Sequence, residues 1–178
     1  MRQSNAVATQ RKPVIVRKFS RDWCAGYADA DFGQNRQDLE LLEPGGKVMR
    51  LTWNDIKWIC FVRDLPGTPA TPSASEPERL LHKRFAIRPR TAGLWLKLTL
   101  RDGEELEGLA ANDRSLIDGA GLLLTPPDTR SNTQRIYVPR QAIEKLEVAG
   151  LIGAPQRRSI AHPVNQQELF PAEQDVSR

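Results

Sequence analysis

Leucine and polar residues alternate along residues 94–100, where leucine occupies every second position and tryptophan, lysine and threonine lie between. This period of two is typical of a β-strand with one buried face. Asp102-Gly103 follows directly, and an Asp-Gly pair there predicts a type I′ hairpin turn, which needs positive φ at both central residues. We therefore expect residues 94–148 to form one small β-barrel.

The same pattern occurs earlier in the chain, which indicates an internal duplication. Residues 14–19 match the leucine strand, with a turn one residue shorter, and both copies place a glycine, Gly26 or Gly108, in the next strand. Later segments correspond as 39–44 with 121–126, 48–51 with 135–138, and 53–59 with 139–146. Each copy ends with a short helical turn and a last strand, so the duplication predicts two barrels of about five strands each.

The composition agrees with a polar, turn-rich globular protein. Of 178 residues, 39% are hydrophobic and 27% are charged, and 13 prolines with 12 glycines favour turns over long helices. The first residues lack the apolar segment of a signal peptide, and no run approaches the roughly 18–20 apolar residues of a membrane span. We expect a soluble cytoplasmic protein that does not associate with membranes.

The residues that usually carry catalysis are scattered. Cys24 and Cys60 lie in apolar segments with no cysteine or histidine at metal-ligand spacing, so we expect two free buried thiols. His82 and His162 lie near no serine, cysteine or carboxylate arrangement that the spacing would enforce. The sequence therefore predicts a protein that is not an enzyme and has no metal or cofactor.

Three sequence motifs resemble those of an uncharacterised bacterial family of tandem small β-barrels. They are Phe-Val-Arg-Asp-Leu-Pro-Gly at 61–67, Pro-Asp-Thr-Arg-Ser-Asn at 127–132 and Val-Pro at 138–139. The resemblance covers about residues 13–155 and implies an architecture but no activity.

A weaker resemblance is to Sm-like barrels, Hfq among them. It is carried by Leu-Thr-Leu-Arg-Asp-Gly at 98–103, Glu-Gly-Leu at 107–109, Asn-Asp at 112–113 and Ile-Glu-Lys-Leu at 143–146. Gly108 is expected to let the second strand bend sharply, as any small barrel requires. Pattern and resemblance together predict an all-β fold of two tandem Sm- or SH3-like small barrels, with short helical turns and flexible termini.

The expected domain organisation follows from the change in composition along the chain. Four prolines among small polar residues at 66–77 are typical of a linker, since such a segment buries too little surface to offset the entropy of ordering. The predicted divisions are a disordered arm at 1–12, a first barrel at 13–65, a proline-rich linker at 66–82, a second barrel at 83–153 and a flexible tail at 154–178.

The expected function is a non-catalytic binding or adaptor module. Small barrels keep open strand edges, and a protein or peptide partner is expected at such an edge or in the groove between the barrels. Outward tryptophans are expected mainly to bury the surface that the two barrels share. Homo-oligomerisation stays open.

The main alternative is binding of RNA or single-stranded nucleic acid. Residues 79–101 contain seven lysines and arginines and no acidic residue, a charge run that also suits a solvated face. Trp95 alternates with the leucines and would face outward, where it could stack on bases. The residues of this alternative site are Arg79, Lys83, Arg84, Arg88, Arg90, Trp95 and Lys97.

Two short motifs suggest further partners. Gln166, Leu169 and Phe170 resemble the Gln-x-x-Leu-Phe peptide with which bacterial proteins dock on the sliding clamp. Arg17 and Arg21 fit the Arg-x-x-x-Arg of the PilZ cyclic-dinucleotide module, whose Asp-x-Ser-x-x-Gly is approached at 113–119 with one residue too many. Both patterns are short and match often by chance.

Overall fold

Ten strands and three short helical segments make up the described parts of the chain, which in this computed structural model are residues 11–29, 38–66, 81–128 and 130–153. The strands are β1 (Arg11–Lys18), β2 (Trp23–Asp29), β3 (Asp38–Leu42), β4 (Val48–Thr52), β5 (Ile56–Val62), β6 (Gly93–Leu100), β7 (Glu105–Ala110), β8 (Gly121–Thr125), β9 (Thr133–Pro139) and β10 (Ile143–Ile152). An α-helical turn α1 (Ser115–Asp118) precedes β8, and 3-10 turns at Trp53–Asp55 and Arg140–Ala142 precede β5 and β10. The predicted all-β fold and the helical turn before each last strand are confirmed.

All ten strands form one antiparallel sheet in the order β10-β6-β7-β8-β9-β5-β1-β2-β3-β4. The first half (β1–β5) and the second half (β6–β10) have the same internal order, namely fifth, first, second, third and fourth strand. Pairing of β9 with β5 joins them. Among the described residues the two ends of the sheet do not pair, so the sheet is continuous and open, and it does not confirm two separate barrels.

The hairpin turn of the second half differs from the predicted type I′ turn. Gly103 has φ +79°, whereas Asp102 has a negative φ, so only one central residue is left-handed. Leu100 N–H donates to the Glu104 carbonyl over 2.8 Å, which encloses a three-residue loop. This is the type I turn followed by a left-handed residue, for which Asp-Gly is equally suited because only the glycine must adopt positive φ.

The first half repeats this turn without the predicted one-residue deletion. Lys18 N–H donates to the Asp22 carbonyl over 2.9 Å, and Arg21 occupies the left-handed position with φ +69°. The matching of the third strands was wrong by one residue. Leu39 pairs with Leu51 on β4 as Leu122 pairs with Val138 on β9, so Leu39 corresponds to Leu122 and not to position 121.

A glycine in the second strand of each half marks a close approach to the third strand. Gly26 lies opposite Val14, and Gly108 lies opposite Leu96, so the two glycines are equivalent. A Cβ atom on Gly26 would lie 2.5 Å from the Leu42 carbonyl oxygen. The close packing of β2 against β3 therefore depends on the absence of a side chain at Gly26. The bend predicted at Gly108 stays a prediction.

Two hydrophobic clusters lie on opposite faces of the sheet. The second-half cluster contains six buried leucines of β6–β8 with Ile136 and Val138, and the first-half cluster contains Val14, Val16 and Leu41 among others. β1 and β5 contribute to both, because Ile15 and Trp58 face the second-half cluster. This explains why β5 is an almost unbroken apolar segment instead of an alternating one.

Several residues at the predicted domain limits are part of the folded structure. Arg11 and Lys12, assigned to the arm, begin β1 opposite Asp29 and Ala28. Leu81, assigned to the linker, is buried in the second-half cluster. Within the described segments, the helices are too short or too polar to cross a membrane.

Candidate ligand-binding cleft

A tryptophan, an arginine and a second tryptophan form a row across three neighbouring strands. Arg17 on β1 lies opposite Trp23 on β2 and opposite Trp58 on β5. Directly opposed residues in antiparallel strands point to the same face of the sheet. Arg17 is therefore the middle residue of this row, and the three side chains, which we call the aromatic row, line a cleft.

The cleft has a volume of about 590 Å³, which lies within the roughly 300–1,000 Å³ typical of sites for small molecules. Its lower part is apolar, because Ile15 and Cys60 form the next row of the same face and Leu81 closes one side. Its full lining is Ile15, Arg17, Lys18, Arg21, Asp22, Trp23, Trp58, Cys60, Leu81 and Thr133. A ligand here would contact both apolar surface and charge.

The charge of the cleft is positive. Arg17, Lys18 and Arg21 line it together with one acidic residue, Asp22. Neither Lys18 nor Arg21 forms an ion pair within the described parts of the chain, and the Asp22 carboxylate accepts a hydrogen bond from Ser20 Oγ over 3.1 Å. Guanidinium and ammonium groups are the usual partners of phosphate and carboxylate.

The aromatic groups of the cleft differ in access. Trp23 is 39% exposed at the rim, whereas Trp58 is 2% exposed at the base. An exposed indole offers its face to a planar ring, and a buried one fixes the shape of the site. The cleft therefore combines positively charged side chains with one accessible indole.

A buried lysine beneath this site connects the two halves. Lys57 on β5 has 6% of its side chain exposed and forms ion pairs with Asp102 and Glu104 of the second-half turn. Lys83 also pairs with Glu104, and we call Lys57, Lys83, Asp102 and Glu104 the Lys57 cluster. The Lys57 ammonium lies 5.0 Å from the centre of the Trp58 ring, so the cluster holds that indole in place.

The Lys57 cluster changes the acidity of its carboxylates. Burial alone would raise the pKa of Glu104, but hydrogen bonds from Lys57 and Lys83 outweigh it and lower that pKa. The pKa of Asp102 is lowered in the same way: burial opposes the shift, but the hydrogen bond from Lys57, backbone hydrogen bonds and the charge of Lys57 together outweigh it. Both carboxylates are thus kept ionised by the lysines.

The two cysteines are free and point to opposite faces of the sheet. Cys60 lies opposite Ile15, and Cys24 lies opposite the adjacent Val16, so the thiols cannot meet without rearrangement. Cys60 is buried as expected, whereas Cys24 is only half-buried. Burial raises the pKa of the Cys60 thiol to about 12, a change that a hydrogen bond with Thr133 opposes.

We expect Cys60 to resist thiol reagents in the folded protein. Its raised pKa leaves almost no thiolate at pH 8, and only the thiolate reacts. Labelling with a chromogenic disulfide at pH 8 is therefore expected to modify Cys24 first and Cys60 only after addition of denaturant. A Cys24→Ala variant isolates the Cys60 reaction, and rapid labelling of that folded variant would contradict the expectation.

Three of the basic residues predicted to bind nucleic acid are paired with carboxylates. Lys83 pairs with Glu104, Arg84 pairs with Glu105, and Lys97 Nζ lies 3.9 Å from Glu107. Arg88 and Arg90 are exposed on the segment before β6. Arg79 lies outside the described residues, and nucleic-acid binding by this group stays a prediction.

Trp95 faces away from the second-half leucines, as its alternation predicts, but it is partly covered. Its indole Nε1 donates to Glu107 over 3.1 Å, and its ring meets Phe85 edge-on with 5.9 Å between centroids. Trp53 instead packs edge-on against Tyr137 of the other half at 6.1 Å. Trp53 and Trp58 therefore contact residues outside the first half, whereas Trp95 contacts Phe85 and Glu107 and Trp23 lines the cleft.

The residues of the two short partner motifs lie in different parts of the chain. Arg17 and Arg21 line the cleft, whereas residues 113–119 form α1 and its flanks, where Arg140 donates to the Leu116 carbonyl over 2.5 Å. The clamp motif Gln166, Leu169 and Phe170 lies outside the described residues. Within the described segments, no group of three or more His, Cys, Asp or Glu is arranged to hold a metal ion.

The cleft was not among the sites predicted from the sequence. The hairpin turn places Trp23 opposite Arg17, so the pairing of these two residues could be predicted from the local sequence. Trp58 joins them only through the pairing of β1 with β5, about forty residues further along the chain. No local pattern predicts that register.

Comparison with known proteins places the chain in a family. Residues 10–150 match a protein family of unknown function (DUF6982). No curated protein and no solved structure matches the chain. The match spans most of the segment in which the family resemblance was expected, and the chain belongs to this family of unknown function.

Proposed function

We propose that this protein is a non-catalytic binding module whose cleft takes a nucleotide, either free or within single-stranded nucleic acid. The main support for this proposal is the row of Trp58, Arg17 and Trp23, which lines a cleft together with the cationic side chains of Lys18 and Arg21. A nucleotide supplies both of the groups that this lining favours, namely an anionic phosphate and a planar ring.

The lining suggests how each part of the ligand is held. Lys18 and Arg21 at the rim neutralise phosphate, and their contribution falls as salt rises because counterions compete for it. The base lies against the exposed face of Trp23, and such stacking contributes about 1–3 kcal/mol per base. This site replaces the basic segment 79–101 as the first candidate, since several cations of that segment already have carboxylate partners.

Removing either group is expected to weaken binding by about tenfold, which corresponds to about 1.4 kcal/mol. Arg21→Ala removes a charge-assisted contact with phosphate, and Trp23→Ala removes the stacking surface. Quenching of tryptophan fluorescence and isothermal titration measure the affinity, with guanosine monophosphate and a hexathymidylate strand as the two probes. Arg114→Ala is the matched control, because its side chain is 91% exposed directly before α1 and does not line the cleft.

The two probes distinguish the two sources of nucleotide. Binding of the monophosphate alone indicates a free nucleotide, and stronger, steeply salt-dependent binding of the strand indicates nucleic acid. Affinity unchanged in both cleft variants, or no binding of either probe, would overturn the proposal. An Arg88→Ala, Arg90→Ala variant tests the segment 79–101, and selective loss of strand binding in that variant would move the site there.

A protein or peptide strand at an open sheet edge is a second candidate. It is favoured by Val48 on β4 and Val148 on β10, which are 50% and 59% exposed on the two edge strands. Affinity purification with the wild type and with Val148→Lys checks this function. Partners lost from the variant support it, and identical recovery contradicts it.

We infer that each half is a copy of one Sm- or SH3-like barrel unit. The common strand order, the equivalent glycines and the 3-10 turn before each fifth strand support this origin. A nucleotide ligand and two free thiols also suit a cytoplasmic protein.

A further inference from the structure

The two halves contact each other through the fourth strand of one half and the fifth strand of the other. The fourth strand of the second half, β9, pairs with the fifth strand of the first half, β5. The remaining fourth strand, β4, and the remaining fifth strand, β10, are the two edges of the sheet. The two edge strands of the sheet are thus the equivalents of the two strands that pair with each other inside the molecule.

We propose that β4 of one chain pairs with β10 of a second copy, which extends the sheet from chain to chain. The contact inside the molecule is the template for this interface. It is heterologous, because it joins two different surfaces, so repetition gives a ring if the rotation closes and a filament if it does not.

The template also fixes the expected register. Counting from the two 3-10 turns makes Arg50 equivalent to Tyr137 and Leu146 equivalent to Ile59. Inside the molecule Ile59 lies opposite Tyr137, and Phe61 lies opposite Arg135. The same register between chains places Leu146 opposite Arg50 and Val148 opposite Val48.

The exposed apolar residues of the edges agree with this register. Val48 is 50% exposed and Val148 is 59% exposed, and they lie on strands whose outer hydrogen-bonding groups have no strand partner among the described residues. The proposed pairing brings these two valines directly together across the interface. Apolar side chains opposed in this way stabilise antiparallel pairs, whereas two like charges destabilise them.

β10 is also suited to pairing by its length and composition. It has ten residues from Ile143 to Ile152 without a proline, and Leu151 near its end is 61% exposed. Proline is one of the features that protects edge strands from added strands. In the proposed register β4 begins opposite Val148, so the partner strand covers Val148 while Leu151 extends beyond it.

Light scattering after size exclusion tests the proposal with the full chain. The wild type is expected to increase in mass with concentration, while Val48→Lys and Val148→Lys are each expected to run as monomers. An equimolar mixture of the two variants keeps one intact β10 and one intact β4, so it is expected to form a dimer and nothing larger. Leu123→Lys is the matched control, since Leu123 is 46% exposed on β8 in the interior of the sheet, and it should assemble as the wild type does.

Several outcomes would overturn the proposal. A wild type that stays monomeric at every concentration excludes self-assembly and leaves the edges to another partner. Assembly of Val48→Lys at the wild-type level shows a symmetric contact between identical strands, and failure of the mixture to dimerise shows that the two edges do not pair. Circular dichroism confirms that each variant is folded, which separates loss of assembly from loss of structure.

Discussion

Alanine at position 26 is expected to lower the free energy of unfolding by about 3 kcal/mol, near the upper end of the usual range for overpacking. The new Cβ would lie 2.5 Å from the Leu42 carbonyl oxygen and 2.9 Å from Leu41 Cγ. The oxygen belongs to the backbone of β3, so it cannot move aside without distorting the strand. Relief of the clash must therefore weaken the pairing of β2 with β3.

Thermal unfolding measures this effect, since each kcal/mol shifts the Tm of a protein of this size by roughly 2–4 °C. Gly45→Ala is the matched control, because a Cβ there meets nothing within 4 Å and φ is not in the left-handed region. Gly108→Ala is also expected to destabilise the protein, but by less, since its contacts are longer: 2.8 Å to Leu124 Cβ and 3.2 Å to the Thr125 carbonyl oxygen. Equal stability of Gly26→Ala and Gly45→Ala would contradict the close approach of β2 and β3.

The substitution Lys57→Met is expected to lower the free energy of unfolding by roughly 2–3 kcal/mol. Removing one partner of a fully buried ion pair costs about 3–5 kcal/mol, and the effect is smaller here because the Asp102 side chain is 36% exposed. Methionine keeps the length of the lysine stem beside Trp58, so the loss reports the charge. Chemical denaturation at pH 7 measures it, and a Lys57→Met, Glu104→Gln double variant should recover part of the loss.

The contribution of the Lys57 cluster is expected to disappear in acid. The pKa values of Asp102 and Glu104 are lower in the folded protein than their ordinary values of about 4. A lowered carboxyl pKa stabilises the fold above about pH 4, and this stabilisation is lost as the pH falls through the folded value. The difference between wild type and Lys57→Met should therefore narrow from pH 7 to pH 3, and a constant difference would show that the lysine acts by packing alone.

Alternating residues made most of the strands predictable, but pairing between distant strands was not. The leucines of β6 and the turn at Gly103 defined one hairpin, and the repeated pattern defined its counterpart. Residues 122–124 are three leucines in succession, so the sequence allows either register, and a slip of one residue reverses every side chain. The pairing of β9 with β5, which turns two units into one sheet, has no local signal at all.

The same limit applies to the candidate site. Basic residues cluster visibly in the sequence at 79–101, yet there Glu104, Glu105 and Glu107 of the adjoining hairpin pair with several of them. The cleft instead draws its charge from a single turn around Arg21 and its aromatic row from three strands. A run of charged residues can be recognised in the sequence, whereas the cleft depends on residues that become neighbours only when distant strands pair.

The strand β5 also makes the stability of the two halves interdependent. Ile59 packs in one cluster while Trp58 and Cys60 pack in the other, so a single strand completes two cores. A substitution on β5 is therefore expected to affect both cores at once, and removal of either half would expose apolar side chains of this strand to water. We therefore expect the two halves to unfold together.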